Sequence, residues 1–396
     1  MDLTIVLEQR FDRTPDGRVW TATGYAHAFW DRYLEVFARV RVVARVREVP
    51  GVQPGWMRVD GQRVEVVPVH YYVGPAGYLR GRRRVGAQVR AAVQWPGAVI
   101  LRSGVLGGIA SRYLAALGRP YAMEIVGDPY EVFAPGVLAH PARRYFRWRF
   151  TRDMKRQCAG AGLAVYVTRR TLQARYPCPA GMVGVSDVEL PPEALVTAPR
   201  APRELRDGVL EILFVGSLEQ LYKGPDVLVA AVERCARGGA DVRLTVVGDG
   251  RYRGQLEAMA AEAGVGGRVR FLGSLPGGAA VRERMDAADL FVLPSRTEGM
   301  PRALIEAMAR GLPCIGSRVG GIPELLAEPD MVPPGDVDAL AAKIQEVAND
   351  AGLRAAMSAR SLTVAREYQD HLLNEQRRQF LRSVRELTER AAGAAR

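Results

Sequence analysis

Two glutamates spaced for contact with a hydroxyl-rich ligand are the first chemical feature of this 396-residue sequence. Glu298 precedes a predicted helix and Glu306 lies two turns inside it, after the apolar run Leu290–Leu293. Carboxylates of a glycosidase pair lie roughly 5 to 9.5 Å apart, whereas eight residues of helix span about 12 Å. The spacing therefore favours two separate contacts, because an ionised carboxylate accepts hydrogen bonds from two hydroxyls of a sugar or ribose. The alternative is structural, with Glu298 as an acid at the helix start and Glu306 as a surface residue.

The helix that carries Glu306 has residues suited to its two ends. Pro301 fits the first turn, where its missing N–H would have had no intrahelical partner, and Gly311 fits the end. The free N–H groups and the dipole at such a helix start favour an anion or electron-rich hydroxyls. We expect this end of the helix to face the ligand.

Lys223 is a candidate phosphate-binding cation. Only three of the 55 basic residues are lysines, and this one lies beside Gly224, after the apolar run Glu211–Val215. An ammonium group at a strand end can neutralise phosphate as a point charge; chance placement is the alternative. The later turn at residues 247–250, Val-Gly-Asp-Gly, lacks the G-x-G-x-x-G of dinucleotide-binding proteins, so we interpret its glycines as turn formers.

No metal or other cofactor is expected. The sequence Asp336-Val337-Asp338 resembles the D-x-D of metal-dependent transferases, but it follows Pro-Pro-Gly at a predicted helix start, where aspartate acts as an N-cap. The four cysteines and four histidines are scattered and form no C-x-x-C pair or zinc pattern.

Short apolar runs alternate with helical patterns in both halves of the chain, which predicts parallel sheets covered by helices on both faces. Helices are expected over Phe29–Phe37 and Leu106–Leu117, and the tail from Val337 onward is predicted to be helical. The predicted strands are Leu3–Leu7, Val40–Val46, Val64–Val69, Ala98–Leu101, Tyr121–Val126, Leu163–Thr168, Glu211–Val215, Val242–Val247, Val269–Leu272, Leu290–Leu293 and Pro313–Gly316.

A proline-rich segment divides two predicted domains. Residues 190–202 contain four prolines, a composition typical of linkers. We predict a Rossmann-like N-terminal domain over 1–190, a linker over 191–206, a second Rossmann-like domain over 207–365 and a helical segment over 366–396. Ligands of such domains bind outside the carboxyl ends of the strands, so the cleft between the two domains is the expected site.

The chain is basic, with a net charge of +12 and a pI near 9.9. Arginines concentrate at Tyr78–Val85 and Ala142–Arg152, where they could attract phosphates or an anionic membrane surface; a solvated face is the alternative. Nucleic-acid binding is the different class that this charge allows, but neither segment has an aromatic RNA-binding signature or a helix-turn-helix pattern, so no nucleic acid is expected. No apolar run approaches the roughly 20 residues of a membrane span, and no secretory signal is recognised, so we expect a cytoplasmic enzyme.

The second half resembles the nucleotide-binding domain of family 4 glycosyltransferases, the retaining "group 1" enzymes of the GT-B fold, in which two Rossmann-like domains face each other across a cleft. The first half is similar mainly in strand order, with specific similarities at Val126-Gly127-Asp128 and Tyr166-Val167-Thr168. Over residues 211–335 the motifs occur in the family's order: Phe214-Val215-Gly216-Ser217-Leu218 with Lys223-Gly224, Val247-Gly248-Asp249-Gly250, Phe271-Leu272-Gly273, Ala288 to Ser295, Glu298-Gly299 to Ala309, and Gly320-Gly321-Ile322-Pro323-Glu324.

The resemblance implies a role for each matching residue. Glu306 would bind the ribose hydroxyls of a nucleotide diphosphate sugar, and Lys223 would neutralise its diphosphate. Glu298 would contact the transferred sugar and, with Lys223, act in catalysis. The C-terminal helical segment would pack back on the N-terminal, acceptor-binding domain. The other residues implied in donor binding are Gly24, Gly216, Ser217, Leu275, Gly299, Met300, Pro301 and Arg302.

Two positions depart from the family's pattern. Val126 precedes Gly127 where a histidine is common, and Glu124 or Asp128 would then contact the sugar on the acceptor side. Ser217 stands where an arginine is common. The substitutes that remain open for this second phosphate-binding cation are Arg296, Arg302 and Arg318.

The activity that the resemblance implies is transfer of a sugar from a UDP- or GDP-linked donor to a hydroxyl of a glycan or lipid-linked saccharide, with retention of configuration. Fixed cations and helix-start amides would stabilise the leaving diphosphate without a metal, and the donor's own phosphate would accept the acceptor's proton. Peripheral attachment to an anionic membrane is a further expectation. The alternative acceptor is a small molecule of antibiotic or aminocyclitol biosynthesis. A sugar-nucleotide epimerase or a glycan phosphorylase would share the architecture, although the phosphorylase needs a pyridoxal-binding lysine.

Overall fold

The computed structural model describes residues 1–134, 137, 140–202 and 204–394, and the chain forms two compact units of α/β structure. Unit 1 comprises Met1–Val126, Trp148–Val185 and Asn374–Arg396. Unit 2 comprises Gly127–Arg147 and Ser186–Leu373. The proline-rich segment is therefore part of unit 2, where the Val196 N–H donates to the Ala309 carbonyl over 3.0 Å, and the end of the chain is part of unit 1.

The described residues up to position 185 form the strands and helices that follow. The strands are β1 (Leu3–Arg13), β2 (Val19–Thr21), β3 (Val40–Glu48), β4 (Met57–Arg58), β5 (Val64–His70), β6 (Ala98–Arg102), β7 (Ala122–Ile125), β8 (Leu163–Tyr166) and β9 (Met182–Gly184). The α-helices are α1 (Asp31–Leu34), α2 (Gly74–Val93), α3 (Val105–Ala116), α4 (Pro129–Val132), α5 (Arg143–Ala159) and α6 (Thr171–Arg175).

Unit 1 is built on a sheet of parallel strands. Their order is β5-β3-β1-β6-β7-β8-β9, so the chain begins in the middle, at β1, and the strand order reverses between β1 and β6. The short strands β2 and β4 extend it antiparallel, beside the second half of β1. This is the doubly wound arrangement that the alternating apolar runs predict.

The remaining described residues form a second series of strands and helices. The strands are β10 (Leu210–Val215), β11 (Val242–Val247), β12 (Val269–Gly273), β13 (Leu290–Leu293), β14 (Cys314–Ser317) and β15 (Met331–Val332). The α-helices are α7 (Pro225–Arg237), α8 (Arg253–Glu262), α9 (Ala279–Ala287), α10 (Arg302–Ala309), α11 (Val337–Asn349), α12 (Ala351–Ala365) and α13 (Asp370–Ala394).

Unit 2 has a second doubly wound sheet. Its six strands are parallel in the order β12-β11-β10-β13-β14-β15. Every residue of β13 and β14 is buried, because helices cover both faces of such a sheet. The strand order reverses between β10 and β13, and this reversal positions the candidate site described below.

The last helix completes the core of unit 1. On α13, Phe380, Leu381 and Val384 are at most 2% exposed and pack in one cluster with β1 residues such as Ile5 and Leu7. Positions one turn apart on a helix share a face, so α13 presents a continuous apolar stripe to the unit 1 sheet. None of the described helices is long and apolar enough to cross a bilayer.

The predicted α/β class with two Rossmann-like units is confirmed, and each predicted strand coincides with one observed, with identical ends for β11 and β13 and shifted ends for the others. β1 runs on to Arg13 because its second half pairs with β2 and with the end of β3, past an irregularity between Val6 and Arg10. The short strands β2, β4, β9 and β15 and the helices α2 and α5 are found in addition to the predicted elements.

Two helix predictions are wrong in extent. Over 29–37 the chain forms a 3-10 turn at His27–Trp30 and the single turn α1, because Trp30 and Tyr33 enter the core with their rings packed on Phe29. The tail breaks into three α-helices. Asp350 caps α12 by accepting from the Leu353 N–H over 2.8 Å, and Gln369 is extended before α13.

Candidate active site

The sequence-predicted donor residues of the second half lie at the carboxyl ends of β10 and β13. These neighbouring strands are where the strand order of unit 2 reverses. Residues 216–224 follow β10, and residues 294–301 connect β13 to α10. In doubly wound sheets, ligands bind outside the carboxyl ends of the strands at such a reversal. The topology of unit 2 therefore brings together Lys223, Glu298 and the start of the helix that carries Glu306.

Lys223 and Glu298, the two residues predicted to act in catalysis, form a direct ion pair. The Lys223 Nζ lies 2.9 Å from the Glu298 Oε1, and the two side chains are only 16% and 7% exposed. The Ser295 Oγ donates to the same Oε1 over 2.8 Å. Burial lowers the pKa of the Lys223 ammonium, but the Glu298 carboxylate and the Tyr222 hydroxyl together raise this pKa by more than burial lowers it, so the net shift is upward. Lys223 is therefore a fixed positive charge throughout the neutral pH range.

Arg296 holds the loop that carries Lys223. Its guanidinium forms a two-pronged pair with Asp226, with Nη1–Oδ1 and Nη2–Oδ2 distances of 2.8 and 2.6 Å. The same Nη1 donates to the Leu221 carbonyl over 2.8 Å, and the Arg296 N–H donates to the Tyr222 carbonyl over 2.6 Å. Two of these four hydrogen bonds thus tie the segment after β13 to the segment that ends at Lys223, and the other two tie it to the first turn of α7.

The three arginines that the sequence left open as a second phosphate-binding cation differ in their ion pairs. Arg296 is engaged with Asp226, and Arg318 pairs with Glu328. Arg302, the first residue of α10, is exposed. Of the three, Arg302 is the arginine whose side chain has no ion pair within the described residues.

Two glycines let the loops at this edge of the sheet approach each other. Gly224 has a φ of +73°, and a Cβ there would overlap the Pro294 carbonyl. Gly320 has a φ of +53°, and a Cβ there would overlap the Glu298 carbonyl. Both conditions exclude larger side chains, since the left-handed region and the close approach each favour glycine.

The helix α10 begins one residue later than predicted. Pro301 is its N-cap, and its carbonyl accepts from the N–H groups of Leu304 and Ile305 over 3.2 and 3.3 Å. No side chain caps the helix, and within the described residues the N–H groups of Arg302 and Ala303 have no hydrogen-bond partner. Gly311 follows the helix with a φ of +60°, as its predicted role at the helix end requires.

Glu306 lies on the side of α10 that is half-buried. Burial raises the pKa of its carboxyl, Arg302 and Arg282 partly oppose that rise, and Glu189 adds to it. Glu306 is therefore partly shielded from solvent, and its contact with a ribose stays a prediction. The residues of α10 that face the core are Leu304, Ile305, Ala307, Met308 and Ala309.

The other predicted donor residues have varied surroundings. Ser217 accepts from the Glu219 N–H over 3.2 Å through its Oγ, a local turn contact. Gly216 contacts the next loop closely, since a Cβ at Gly248 would overlap its carbonyl. Leu275 is half-buried after β12, Met300 is buried and Gly299 is half-buried beside it. Gly24 belongs to unit 1, where it is exposed. Their contacts with a donor stay predictions.

The two predicted acceptor-side residues already have partners. Glu124 is 8% exposed and accepts from the Tyr33 hydroxyl over 2.9 and 3.1 Å and from the Arg102 Nε over 2.8 Å. Asp128 caps α4 by accepting from the Tyr130 N–H over 2.9 Å. The geometry gives Glu124 a role inside unit 1, as the centre of a buried polar network, and a sugar contact stays a prediction for both residues.

Sequence reasoning missed Ser295, Asp226 and the Gly320 turn as parts of the site. Ser295 stands three positions before Glu298, a spacing that is readable once a loop is assumed there. The pairing of Asp226 with Arg296 joins residues 70 positions apart and has no local signal.

Asp336 caps α11 by accepting from the Ala339 N–H over 2.9 Å. Among the described residues, no group of three or more His, Cys, Asp or Glu side chains is placed to hold a metal ion.

Comparison with known proteins identifies the same region. Residues 210–350 match a family model described as "Glycosyl transferases group 1". Protein CapJ of Staphylococcus aureus is 26% identical over 322 residues, covering 79% of this chain and 78% of its own length. The amylovoran biosynthesis glycosyltransferase AmsK of Erwinia amylovora is 31% identical over 216 residues, 52% of this chain and 51% of its own. The 2-deoxystreptamine glucosyltransferase of Streptomyces kanamyceticus is 30% identical over 265 residues, 60% of this chain and 65% of its own.

A solved structure shares the fold over nearly the whole chain. The Anabaena protein Alr3699/HepE, solved in complex with UDP, superposes with a TM-score of 0.65 over 97% of this chain and 100% of its own, at 18% sequence identity. At that identity the likeness concerns the fold. Its coverage includes both units, whereas the family model covers unit 2 alone.

Proposed function

We propose that this chain, which has the GT-B fold and whose residues 210–350 match the group 1 glycosyltransferases, transfers a sugar from a nucleotide diphosphate sugar to a hydroxyl of a glycan or lipid-linked saccharide. The observation that carries the proposal is the arrangement at the reversal in unit 2. Lys223, Glu298 and the open start of α10 lie in the loops after two adjacent strands. A cation, a carboxylate and unpaired amides there match the charges and hydroxyls of such a donor.

Lys223 is proposed to stabilise the leaving diphosphate. Its ammonium group has three donors, and Glu298 takes one of them. Negative charge develops on the leaving oxygens as the glycosidic bond breaks, and a cation fixed in advance stabilises that charge without reorganising. Because the pKa of Lys223 is raised, this charge does not depend on pH between about 6 and 9.

The start of α10 is proposed to bind the transferred sugar, and Glu306 is proposed to bind the ribose. The N–H groups of Arg302 and Ala303 are unpaired within the described residues, and the positive end of the helix dipole adds to their attraction for electron-rich oxygens. Glu306, further along the same helix, has two carboxylate oxygens that can accept from two adjacent ribose hydroxyls. Glu298 would contact the transferred sugar from the loop before the helix.

The finer chemistry follows from these roles. We propose that configuration is retained and that the donor's phosphate accepts the acceptor's proton, so that no separate base is required. Metal independence is part of the same proposal, because Lys223 and the α10 amides can together neutralise the leaving group. We propose UDP or GDP as the donor nucleotide; UDP is the nucleotide bound to HepE.

A thermal-shift screen tests the donor site. Wild-type protein and the Glu306→Ala variant are melted with UDP, GDP, ADP, dTDP and their common sugar conjugates, because a ligand of the native state raises the melting temperature. We expect one nucleotide family to raise the Tm of the wild type and to raise that of the variant much less. A wild-type Tm that none of these ligands changes would contradict the proposal.

A small-molecule acceptor is the second candidate, favoured by the similarity to the 2-deoxystreptamine glucosyltransferase over 60% of this chain. With the donor base identified, mass spectrometry of reactions containing either 2-deoxystreptamine or a polyprenyl-diphosphate-linked saccharide separates the two. Transfer to the saccharide supports glycan assembly, and transfer to the aminocyclitol supports the second candidate.

A further inference from the structure

Ser295 is a fully buried polar side chain of the candidate site, and its hydroxyl is bonded to Glu298. It lies two positions after β13 and is 0% exposed. Its Oγ donates to the Glu298 Oε1 over 2.8 Å. An ionised carboxylate has no hydrogen to donate, so the hydroxyl hydrogen must point at this oxygen. Ser295 therefore contributes a bond of fixed direction to a carboxylate that is proposed to contact the transferred sugar.

Two donors meet on the same oxygen of Glu298. The Lys223 Nζ lies 2.9 Å from Oε1, the oxygen that also accepts from Ser295. Within the described part of the chain, no group donates to the other oxygen, Oε2. The terminal torsion of a glutamate is broad, so a carboxylate without such bonds can turn. Two bonds to Oε1 restrain that rotation and leave Oε2 to accept from a ligand hydroxyl.

The two donors differ in how firmly they can hold the carboxylate. The Lys223 ammonium ends a flexible four-carbon stem and is proposed to share its hydrogens with the diphosphate. The Ser295 hydroxyl is attached one carbon from a backbone that continues from the buried strand β13. When the ammonium turns toward a diphosphate, the hydroxyl is the donor that keeps Oε1 in place.

The main chain around Glu298 is supported independently of Ser295. The Gly321 N–H donates to the Gly299 carbonyl over 2.8 Å. A Cβ at Gly320 would overlap the Glu298 carbonyl, so the turn after β14 packs directly against this loop. What the Ser295 hydroxyl adds is the direction of the carboxylate. Its removal should therefore release the carboxylate and leave the loop in place.

Ser317 provides a contrast on the adjacent strand. It is the last residue of β14, which pairs with β13, and it is also 0% exposed. Its Oγ has no hydrogen-bond partner among the residues that the structure describes. Two equally buried serines at the ends of neighbouring strands thus differ in their contact with Glu298, which makes Ser317 a matched control.

We propose that Ser295 is a positioning residue that fixes Glu298 so that its Oε2 faces the hydroxyls of the transferred sugar. The inference rests on the proposed function, in which Glu298 contacts that sugar, and it adds the group that sets the direction of the contact. Because the carboxylate would contact the sugar and not the nucleotide, loss of the hydroxyl should weaken binding of a nucleotide sugar and leave binding of the nucleoside diphosphate unchanged.

Isothermal titration calorimetry of the full chain tests this role. The wild type and its variants are titrated with UDP and UDP-glucose, or with GDP and GDP-mannose where GDP is the nucleotide that binds. The quantity compared is the Kd for the nucleotide sugar divided by the Kd for its nucleoside diphosphate. We expect Ser295→Ala to raise this ratio about fivefold, the change that corresponds to one hydrogen bond. The Kd for the diphosphate should stay within about twofold of the wild-type value, since Lys223 keeps its charge.

Two further variants separate the hydroxyl from the space that it fills. Ser295→Thr retains the hydroxyl and should keep the wild-type ratio, and Ser317→Ala should leave the ratio unchanged. Should Ser295→Ala lose the fold, Ser295→Cys takes its place, because a thiol keeps the size of the side chain but donates only weakly.

A double-mutant cycle with Glu298→Ala shows whether Ser295 acts through the carboxylate. If it does, Ser295→Ala should not change the ratio further once Glu298 is replaced, because the group that it positions is gone. Additive changes in the logarithm of the ratio, an equal rise in both Kd values of Ser295→Ala, or an unchanged ratio would overturn the proposal. A wild type that binds neither nucleoside diphosphate would instead contradict the proposed function, and the inference that rests on it would fail with it.

Discussion

Removal of the Lys223 ammonium is the sharpest test of the candidate site. Methionine keeps most of the length and apolar stem of the side chain but removes the charge. Hydrogen bonds to charged groups contribute about 1.5 to 3 kcal/mol, and each 1.4 kcal/mol corresponds to about a tenfold change in affinity. If one such bond from Lys223 reaches the diphosphate, Lys223→Met should raise the Kd for the nucleoside diphosphate between about tenfold and a hundredfold.

The same change also affects the ligand-free protein. Glu298 would lose the ammonium 2.9 Å away and keep the Ser295 hydroxyl, while its side chain is 7% exposed. Breaking a buried ion pair from one side costs about 3 to 5 kcal/mol. The retained hydroxyl should reduce this, so we expect a loss of about 1 to 3 kcal/mol in the free energy of unfolding.

Isothermal titration calorimetry with the nucleotide identified by the thermal-shift screen gives the Kd, and urea unfolding gives the stability. Lys343→Met is the matched control, because Lys343 is also a lysine in an ion pair, 2.8 Å from Glu346 on α11. A Kd of Lys223→Met within twofold of the wild-type value, with the protein folded, would refute the phosphate role. The Glu298→Gln variant should retain nucleotide binding, since Lys223 keeps its charge, but lose transfer.

Three further predictions concern the surroundings of the site. Glu306→Gln should weaken nucleotide binding by about 1.5 to 3 kcal/mol. Because burial raises the pKa of Glu306, ionisation of this carboxyl lowers the stability of the wild type as the pH rises through that raised pKa. The variant should therefore have a higher Tm than the wild type at pH 7 and not at pH 4. Gly320→Ala combines a left-handed φ with overlap of a neighbouring carbonyl and should lose more than the roughly 1 kcal/mol expected of Gly335→Ala, whose φ is +79° in open space; equal urea midpoints would contradict this. Arg296→Gln and Asp226→Asn should both raise the KM for the donor by similar factors if the pair positions Lys223, whereas an effect of Arg296→Gln alone would indicate direct phosphate contact.

The sequence predicted those parts of the structure that depend on local pattern. Parallel strands buried on both faces are continuous apolar runs, so their positions were readable. The rarity of lysine singled out Lys223, which the structure places beside Glu298, and the sequence placed Glu298 on the loop and Glu306 on the helix that follow β13; their contacts with a ligand stay predictions. The helix over Phe29–Phe37 failed because aromatic residues there pack into the core, and tertiary packing overrides a helical pattern.

What local pattern could not predict is the pairing of residues far apart in the chain. The bond between Lys223 and Glu298 joins positions 75 apart, and nothing near either residue indicates that its partner is the other. Likewise, the basic composition marked α2 and α5 equally. The structure shows which arginines have partners: on α5, Arg149 pairs with Asp153 and Arg147 lies over the Tyr130 ring.

The division of roles between arginine and lysine at the site has a geometric reason. The planar guanidinium of Arg296 donates to both oxygens of Asp226 and to the Leu221 carbonyl at once, which fixes the loop. An ammonium cannot make that two-pronged contact, but it can turn its remaining hydrogens toward a second anion while one of them stays on Glu298. The proposed phosphate role would therefore suit a lysine at position 223, which is held by the Glu298 carboxylate and has further N–H donors for a second anion. Arg296 positions the loop and Lys223 supplies the charge, so replacing either residue should weaken donor binding.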